Sequence, residues 1–245
     1  MIKISVLLAA LGFAASVSAE PVLRIAGSTT VKGALEHNLP ELEAAYAGPI
    51  EFSASGSNSG VVSLLAGTAD MAMTATPLLE IAKMLNERSP GAVDVSALNV
   101  EPIGKARITF IVNPRNPVRR LNSTQLAQIL TGRIKNWREV GGADQTILVV
   151  SLANSSSLLL DKLTAAVPLA ADARRVPNAT QISPVVSLEP GAIGIISTAH
   201  VRGKTSLIET DAAVETPLFL VTRGAPTGAQ RKLIEAAREL LKDRG

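Results

Sequence analysis

The chain has 245 residues, no cysteine and a formal net charge of +3 at pH 7. The absence of cysteine excludes a disulfide framework and a lipid-bearing cysteine after a leader. Basic residues are spread among acidic ones and form no run with interleaved aromatic residues, so nucleic-acid binding is not expected. Hydrophobic residues make up 47% of the chain but aromatic residues only 2%. Aliphatic side chains must therefore fill the core, as they do in strands covered by helices.

The first 19 residues have the pattern of a secretory signal peptide. Lys3 precedes an apolar run from Ile4 to Val17, and small residues stand just before Glu20. The apolar run is shorter than the roughly 20 residues that a membrane-spanning helix needs. We therefore predict a signal peptide over 1–19 that is cleaved after Ala19, and we expect the mature chain to be a periplasmic monomer.

Strands and helices are predicted to alternate along the mature chain. The predicted strands are 22–26, 50–53, 70–74, 105–112, 147–150, 195–196 and 218–222. The predicted helices are 31–46, 61–66, 77–86, 123–130, one that begins near 158, and 230–241. Pro40 predicts a kink or break in the first helix, and Asn122 with Gln125 predicts a capping box. The alternation predicts an α/β protein with mostly parallel sheets.

One arrangement occurs three times: a strand, then a loop of Ser, Thr, Gly or Asn, then a helix. The loops are Ser28–Thr30, Ser57–Gly60 and Asn154–Ser157. In an open α/β sheet, ligands bind beyond the carboxyl ends of the strands, and helix N-termini there favour an anion. In the simpler interpretation each loop only caps its own helix. Because the pattern is repeated, we favour a shared site for an anion or another polar ligand.

Several motifs match one known family. The segment from Ile111 to Val150 combines a strand ending in Asn-Pro, a helix, a Gly-x-Ile-x-Asn-Trp sequence and Glu-Val-Gly-Gly. Gly27–Val31, Gly56–Gly60 with the Leu-Ala-Gly-Thr-Ala-Asp that follows, and Pro190–Gly194 carry further matches. Together these motifs resemble the extracytoplasmic phosphate-binding proteins of ABC transporters, and they extend over most of the mature chain.

The resemblance implies a two-lobed periplasmic-binding-protein fold of type II, in which each lobe is a mostly parallel sheet flanked by helices. It places lobe 1 at 20–104 plus 200–245 and lobe 2 at 105–199. A small oxyanion such as phosphate would bind in the cleft, and the lobes would close over it by a hinge motion. The implied ligand-binding residues are Ser28, Thr29, Thr30, Ser57, Asn58, Thr74, Asn154, Ser155 and Ser156.

The chain departs from the family pattern in the charged members of the site. The family usually has an Arg, and often an acid, in the loop after the strand at 147–150, but this chain has Ser151 to Ser157 without either. Some members have an Asp where this chain has Ala75. The remaining donors are neutral, which suits a fully ionised sulfate-like oxyanion, a phosphonate or a neutral polar solute. We therefore expect weak phosphate binding, since hydrogen bonds to charged groups are worth about 1.5–3 kcal/mol each.

Other functions have less support in the sequence. His37 and His200 are far apart and no cysteine is present, so neither a metal nor another cofactor is expected. The Gly56–Gly60 loop has Asn at its centre and does not form a nucleophile elbow, so an enzyme is not expected. The alternative function is a periplasmic scaffold or signalling module of the same fold with a degenerate solute site. Its partner, an ABC permease or an envelope protein, could dock on basic residues such as Arg119 and Arg120.

Overall fold

The computed structural model describes residues 20–88, 93–153, 157–211 and 213–242. The predicted signal peptide lies outside the described residues, as do Asn154, Ser155 and Ser156 of the predicted site. Within the described part of the chain, no helix has the length and apolar character needed to cross a membrane.

The strands and helices alternate as predicted for an α/β protein. The strands are β1 (Leu23–Gly27), β2 (Ile50–Ser53), β3 (Met71–Thr74), β4 (Leu98–Val112), β5 (Arg120–Leu121), β6 (Leu148–Leu152), β7 (Arg174–Val176), β8 (Ala192–Ser197), β9 (Ser206–Thr210) and β10 (Val214–Arg223). The α-helices are α1 (Thr29–Leu35), α2 (Leu39–Tyr46), α3 (Ser57–Leu65), α4 (Leu78–Arg88), α5 (Ser123–Leu130), α6 (Ser157–Thr164), α7 (Ile182–Leu188) and α8 (Gly228–Lys242). Single 3₁₀ turns are at Glu36–Asn38, Trp137–Val140, Ala179–Gln181 and Thr198–His200.

The main sheet has the strand order β2-β1-β3-β10-β4-β8-β6-β7. β1 is parallel to β2 and β3 at one end, and β6 is parallel to β7 and β8 at the other. The long strands β10 and β4 lie between these ends and are antiparallel to each other and to their neighbours β3 and β8. The helix-flanked ends are therefore parallel, as predicted, and two antiparallel strands join them.

The buried side chains divide into separate cores, one set for each end of the sheet. Ala106 packs with the core of β1, β3 and α8, whereas Ile108 packs with the core of β4, α5 and Trp137. We propose from this change of core that the chain leaves the first lobe on β4 near Arg107. On the return, Ile208 packs in the second core and Leu218 in the first. We propose that lobe 1 resumes on β10, later than the Ala199 region that the family resemblance implies.

Local signals explain where several helices begin and end. The predicted break near Pro40 is confirmed: α1 ends at Leu35, a 3₁₀ turn follows, and Pro40 lies in the first turn of α2, where its missing N–H is harmless. The predicted α5 and its capping box are also confirmed, since Asn122 accepts from the Gln125 N–H at 2.8 Å and the Gln125 side chain accepts from the Asn122 N–H at 3.1 Å.

α3 begins at Ser57, four residues before the predicted start at 61. Gly56 has φ of 100° and turns the chain into the helix. Gly60 lets the helix pack directly on β1, because a Cβ at Gly60 would lie 2.5 Å from the Gly27 Cα. The earlier start places Ser57 and Asn58 in the first turn of the helix instead of in a loop.

The second lobe is built around Trp137, the only tryptophan of the chain. Its side chain is 1% exposed, and Nε1 donates a hydrogen bond to the Gly191 carbonyl at 2.9 Å. Trp137 is therefore a buried anchor of the second core.

Some exposed basic residues of lobe 2 have partners within the lobe. Arg120 forms an ion pair with Glu209 at 3.0 Å, and Arg138 forms one with Asp144 at 3.1 Å. Arg119 donates to the carbonyl of Val118 at 2.9 Å. A docking face made of these cations stays a prediction.

Candidate functional site

A small enclosed cavity of about 60 Å³ lies between the two lobes. Its lining from the first lobe and β10 is Ser28, Thr29, Thr30, Gly56, Ser57, Ala75, Thr76 and Thr216. Its lining from the second lobe and the adjoining part of β4 is Ile108, Leu152, Leu159, Pro177, Ala179, Ile182, Ile195, Ile196 and Ser197.

The first two hydroxyl loops meet because β1 and β2 are parallel neighbours and end at the same edge of the sheet. The Gly56 N–H donates to the Gly27 carbonyl at 2.8 Å, and the Ser28 N–H donates to the Met73 carbonyl at 2.8 Å. Gly27 has φ of 139°, and a Cβ there would lie 2.1 Å from the Met73 oxygen. Only glycine therefore lets β1, β3 and the second loop approach so closely.

Ser28 and Ser57 have different local roles. Ser28 is the N-cap of α1, and its Oγ accepts a long bond of 3.4 Å from the Val31 N–H. Ser57 caps no helix, because Gly56 occupies the N-cap of α3. The Ser57 Oγ instead accepts from the Ala75 N–H at 3.2 Å. The capping interpretation therefore holds for Ser28 and fails for Ser57.

β10 also contributes to the site. The Thr216 Oγ1 donates to the Ala75 carbonyl at 3.1 Å. Ala75 is thus held from both sides, through its N–H by Ser57 and through its carbonyl by Thr216. These two bonds fix the loop after β3 and place Thr76 on the cavity.

Four cavity-lining hydroxyl groups have no hydrogen-bond partner among the described residues. They belong to Thr29, Thr30, Thr76 and Ser197. These residues are only 8%, 5%, 2% and 4% exposed. Buried hydroxyl groups normally have a partner in the protein, an ordered water or a ligand. The cavity lining therefore offers several hydrogen-bond donors without a partner among the described residues.

No described residue that lines the cavity carries a charge. Ala75, where the family resemblance implies an Asp in some members, is one of these uncharged lining residues. Ser151 on β6 is fully buried and is not part of the lining. Within the described residues, a bound anion would be held by neutral dipoles alone: hydroxyl groups and the N-terminal N–H groups of α3.

The structure brings together four of the predicted site residues: Ser28, Thr29, Thr30 and Ser57. Asn58 and Thr74 are buried but are not part of the lining, and Asn58 Oδ1 and Thr74 Oγ1 have no partner among the described residues. Asn154, Ser155 and Ser156 lie outside the description, although Leu152 and Leu159 on either side of them line the cavity.

Sequence reasoning missed three polar lining residues: Thr76, Ser197 and Thr216. Thr76 and Ser197 stand at or just beyond the ends of β3 and β8. The rule that ligands bind at carboxyl strand ends could have indicated both. Thr216 lies within β10 and reaches the site through strand pairing, so no local signal marks it.

A second cavity of about 560 Å³ lies beside the first, and Ser197 lines both. Its lining includes the exposed cations Lys105, Arg107 and Arg202. Lys105 forms an ion pair with Glu215 at 3.0 Å. We call this region the basic cavity. It is larger than the interlobe cavity, but its charged groups are hydrated at the surface.

A match to a family model supports the assignment that the fold and cavity suggest. Residues 14–234 match the model of the PBP superfamily domain. The two-lobed α/β fold with a polar cavity between the lobes defines a protein of the periplasmic-binding-protein class. The chain belongs to the PBP superfamily.

Individual relatives are phosphate-binding proteins. The chain is 26% identical over 159 residues to the phosphate-binding protein PstS of Bacillus subtilis, an alignment that covers 58% of this chain and only 53% of that protein. A phosphate-bound substrate-binding protein of a putative phosphate ABC transporter from Clostridium perfringens has the same fold, with a TM-score of 0.72 at 24% identity over 88% of this chain and 92% of its own. A phosphate transport receptor from Vibrio cholerae has a TM-score of 0.61 at 23% identity, over 91% and 98% of the chains. The resemblance predicted from the motifs is confirmed.

Proposed function

We propose that the protein is an extracytoplasmic solute-binding protein that holds a small oxyanion in the interlobe cavity for an ABC importer. The observation that carries the proposal is the set of buried hydroxyl groups, on Thr29, Thr30, Thr76 and Ser197, that converge on the cavity without a partner among the described residues. A solute with several acceptor oxygens would satisfy them together.

The composition of the cavity supports binding instead of catalysis. Ser and Thr hydroxyl groups line it, and among the described lining residues there is no carboxylate, histidine or lysine that could act as a general base. Both lobes contribute to the lining, so a bound solute would contact both and favour the closed arrangement. Hinge closure, export of the chain and cleavage after Ala19 are parts of the same proposal.

The relatives support the transport role at a coarse level. Proteins named for phosphate binding or phosphate ABC transport share the fold, and one of them has phosphate bound. In this chain the cavity has no charged side chain among its described lining residues, so we propose weak binding of inorganic phosphate. An ABC permease is the proposed partner.

Isothermal titration of the mature chain, residues 20–245, with phosphate and sulfate tests the function and its location. Thr30→Val removes one unpartnered hydroxyl at nearly constant volume. It should weaken oxyanion binding about tenfold to a hundredfold, because hydrogen bonds to charged groups are worth about 1.5–3 kcal/mol. The exposed Thr180 is the matched control, and Thr180→Val should bind like the parent protein.

The basic cavity provides the competing outcome. If an anion binds there, Arg107→Gln should abolish binding and Thr30→Val should leave it intact. That pair of results would contradict the proposed site.

The uncharged lining also favours one alternative, an interaction module of the same fold whose solute site is degenerate. Thermal unfolding separates the two, because a ligand that binds only the native state must stabilise it. The free energy of unfolding rises by about 2.7 kcal/mol at a free ligand concentration 100 times Kd. A panel of small oxyanions that leaves Tm unchanged at high concentration would favour the interaction module.

A further inference from the structure

The two faces of the interlobe cavity differ in chemistry. The first lobe and β10 supply most of the hydroxyl groups, whereas the described lining on the opposite side is mostly aliphatic, with Ser197 as its hydroxyl-bearing residue. Its aliphatic residues include Ile108, Ile182, Ile195, Ile196, Leu152 and Leu159. We call these six residues the aliphatic face.

The aliphatic face is held rigidly by the cores behind it. Ile108 and Ile195 belong to the core that contains Trp137, and Ile182 and Ile196 belong to the core between β6, β8 and α7. β4 and β8 are paired along the stretch that carries these residues. All four isoleucines are at most 8% exposed. Side chains packed in this way cannot turn aside to let polar groups replace them.

The interlobe cavity is small, with a volume of about 60 Å³. Any part of a solute that extends from an oxyanion head bound to the hydroxyl groups of the first lobe would lie against the aliphatic face.

Inorganic phosphate and sulfate are polar on every side. With three oxygens on Thr29, Thr30 and Thr76, either ion would turn its fourth oxygen toward the second lobe, where Ser197 is the only hydroxyl-bearing residue among the described lining and the other side chains are apolar. A methyl or ethyl group in that position would instead bury apolar surface on apolar surface. The lack of charged lining residues among those described also favours an ion with one negative charge over an ion with two, because burying uncompensated charge is costly.

We infer that the solute is a small monoanion R–XO₃, in which a tetrahedral oxyanion head carries a short alkyl group, as in an alkylphosphonate or an alkanesulfonate. The head binds Thr29, Thr30 and Thr76, and the alkyl group contacts Ile108, Ile195 and Ile196. This inference rests on the proposed function and names the solute class of the same cavity.

Titration calorimetry of the mature chain with matched anions tests the inference. Methylphosphonate and phosphate are compared at a pH where both are monoanions, so that charge is constant. We expect methylphosphonate to bind at least about tenfold more tightly than phosphate. Its methyl group becomes buried against the aliphatic face, whereas the fourth oxygen of phosphate loses its hydrogen bonds to water there. Methanesulfonate, measured at the same pH, shows whether the head group is a phosphonate or a sulfonate.

Ile195→Thr tests the aliphatic face directly by placing a hydroxyl group on it. The preference for methylphosphonate over phosphate should fall about tenfold, since the fourth oxygen gains a partner. Ile193→Thr on the same strand is the control, because Ile193 is buried in the same core but does not line the cavity. The Ile193→Thr protein should prefer methylphosphonate over phosphate by the same factor as the parent protein.

The outcomes are distinguishable. Phosphate that binds as tightly as methylphosphonate to the parent protein overturns the inference and leaves the proposed function standing. Binding of no oxyanion, with or without an alkyl group, overturns the proposed function. The ligand comparison uses the parent protein, so it remains decisive even if Ile195→Thr does not fold.

Discussion

The Oγ of Ser57 accepts a hydrogen bond from the backbone N–H of Ala75 at 3.2 Å and thereby joins the start of α3 to the loop after β3. The two residues are 18 positions apart in the chain. The bond fixes the position of Thr76 on the cavity. Ser57 is therefore a structural residue of the site as well as a candidate ligand.

Ser57→Ala should lower the free energy of unfolding by about 1–3 kcal/mol, because the N–H of Ala75 loses its partner in a part-buried position. Urea denaturation of the mature chain measures this loss. Ser59 lies in the same helical turn and is exposed. Ser59→Ala should change the stability by no more than about 0.5 kcal/mol. Equal effects of the two substitutions would contradict the role given to the bond.

Gly60→Ala should destabilise the protein by about 1–3 kcal/mol or more, as expected for overpacking against atoms that cannot move. The new Cβ would lie 2.4 Å from the Ala26 carbonyl oxygen and 2.5 Å from the Gly27 Cα, and both belong to the backbone of β1. Urea denaturation measures the change, and the displacement of β1 should also weaken oxyanion binding.

Gly228→Ala is the matched control for Gly60→Ala. A Cβ at Gly228, in the first turn of α8, would meet no atom within 4 Å. The substitution should leave stability unchanged or raise it by about 0.4–1 kcal/mol through the unfolded chain. A Gly60→Ala protein as stable as Gly228→Ala would show that α3 can move away from β1.

Burial lowers the pKa of the His200 imidazole below its usual value of 6.5, and the nearby charge of Arg202 lowers it further. Lys32 lowers it as well, while Glu36 acts in the opposite direction. The His200 side chain packs against Gly33, where a Cβ would lie 2.2 Å from the ring. The charged imidazolium is therefore unfavourable in the folded protein.

This shift predicts the sign of the pH dependence of stability. Above pH 6.5 the imidazole is neutral in both the folded and the unfolded chain. His200 therefore contributes nothing to the pH dependence of the free energy of unfolding in that range. Below pH 6.5 the unfolded chain binds a proton first, so the free energy of unfolding falls until the pH passes the folded pKa. Urea denaturation between pH 7.5 and pH 5 measures the fall, and His200→Gln should remove the part of it that His200 causes.

Trp137→Phe should lower the free energy of unfolding by about 1–3 kcal/mol. The replacement leaves the Gly191 carbonyl without the indole N–H that donates to it at 2.9 Å and reduces the packing of the second core. Trp137 does not line the interlobe cavity. Oxyanion affinity, measured by calorimetry under native conditions, should therefore stay close to that of the parent protein, and a large loss of affinity would contradict this separation of core and site.

Local signals in the sequence predicted the parts of the fold that depend on neighbouring residues. The capping box of α5 depends on Asn122 and Gln125, three positions apart, and its predicted bounds are confirmed. The start of α3 depends on the contact of Gly60 with β1, which is far away in the sequence, and its predicted start was wrong by four residues. The short strands β5, β7 and β9 were missed because pairing with distant partners stabilises them.

The residues of the candidate site also divide into those that local sequence predicted and those that depend on distant contacts. Ser28, Thr29, Thr30 and Ser57 were predicted because each follows a strand within its own segment. The aliphatic face was not predicted, since an isoleucine that lines a cavity cannot be distinguished in sequence from one that fills a core. Thr216 likewise reaches the cavity only through the pairing of β10 with β4.

Ile108 on β4 and Thr216 on β10 line the cavity, and these two strands also carry the chain from one lobe to the other. A rotation of one lobe against the other must bend or twist this pair of strands, and it therefore changes the shape of the cavity at its base. In the proposed hinge closure, entry of a solute and rotation of the lobes would therefore be coupled through these two strands. The stiffness of two paired strands would set the rate of solute exchange, independently of how tightly the hydroxyl groups bind.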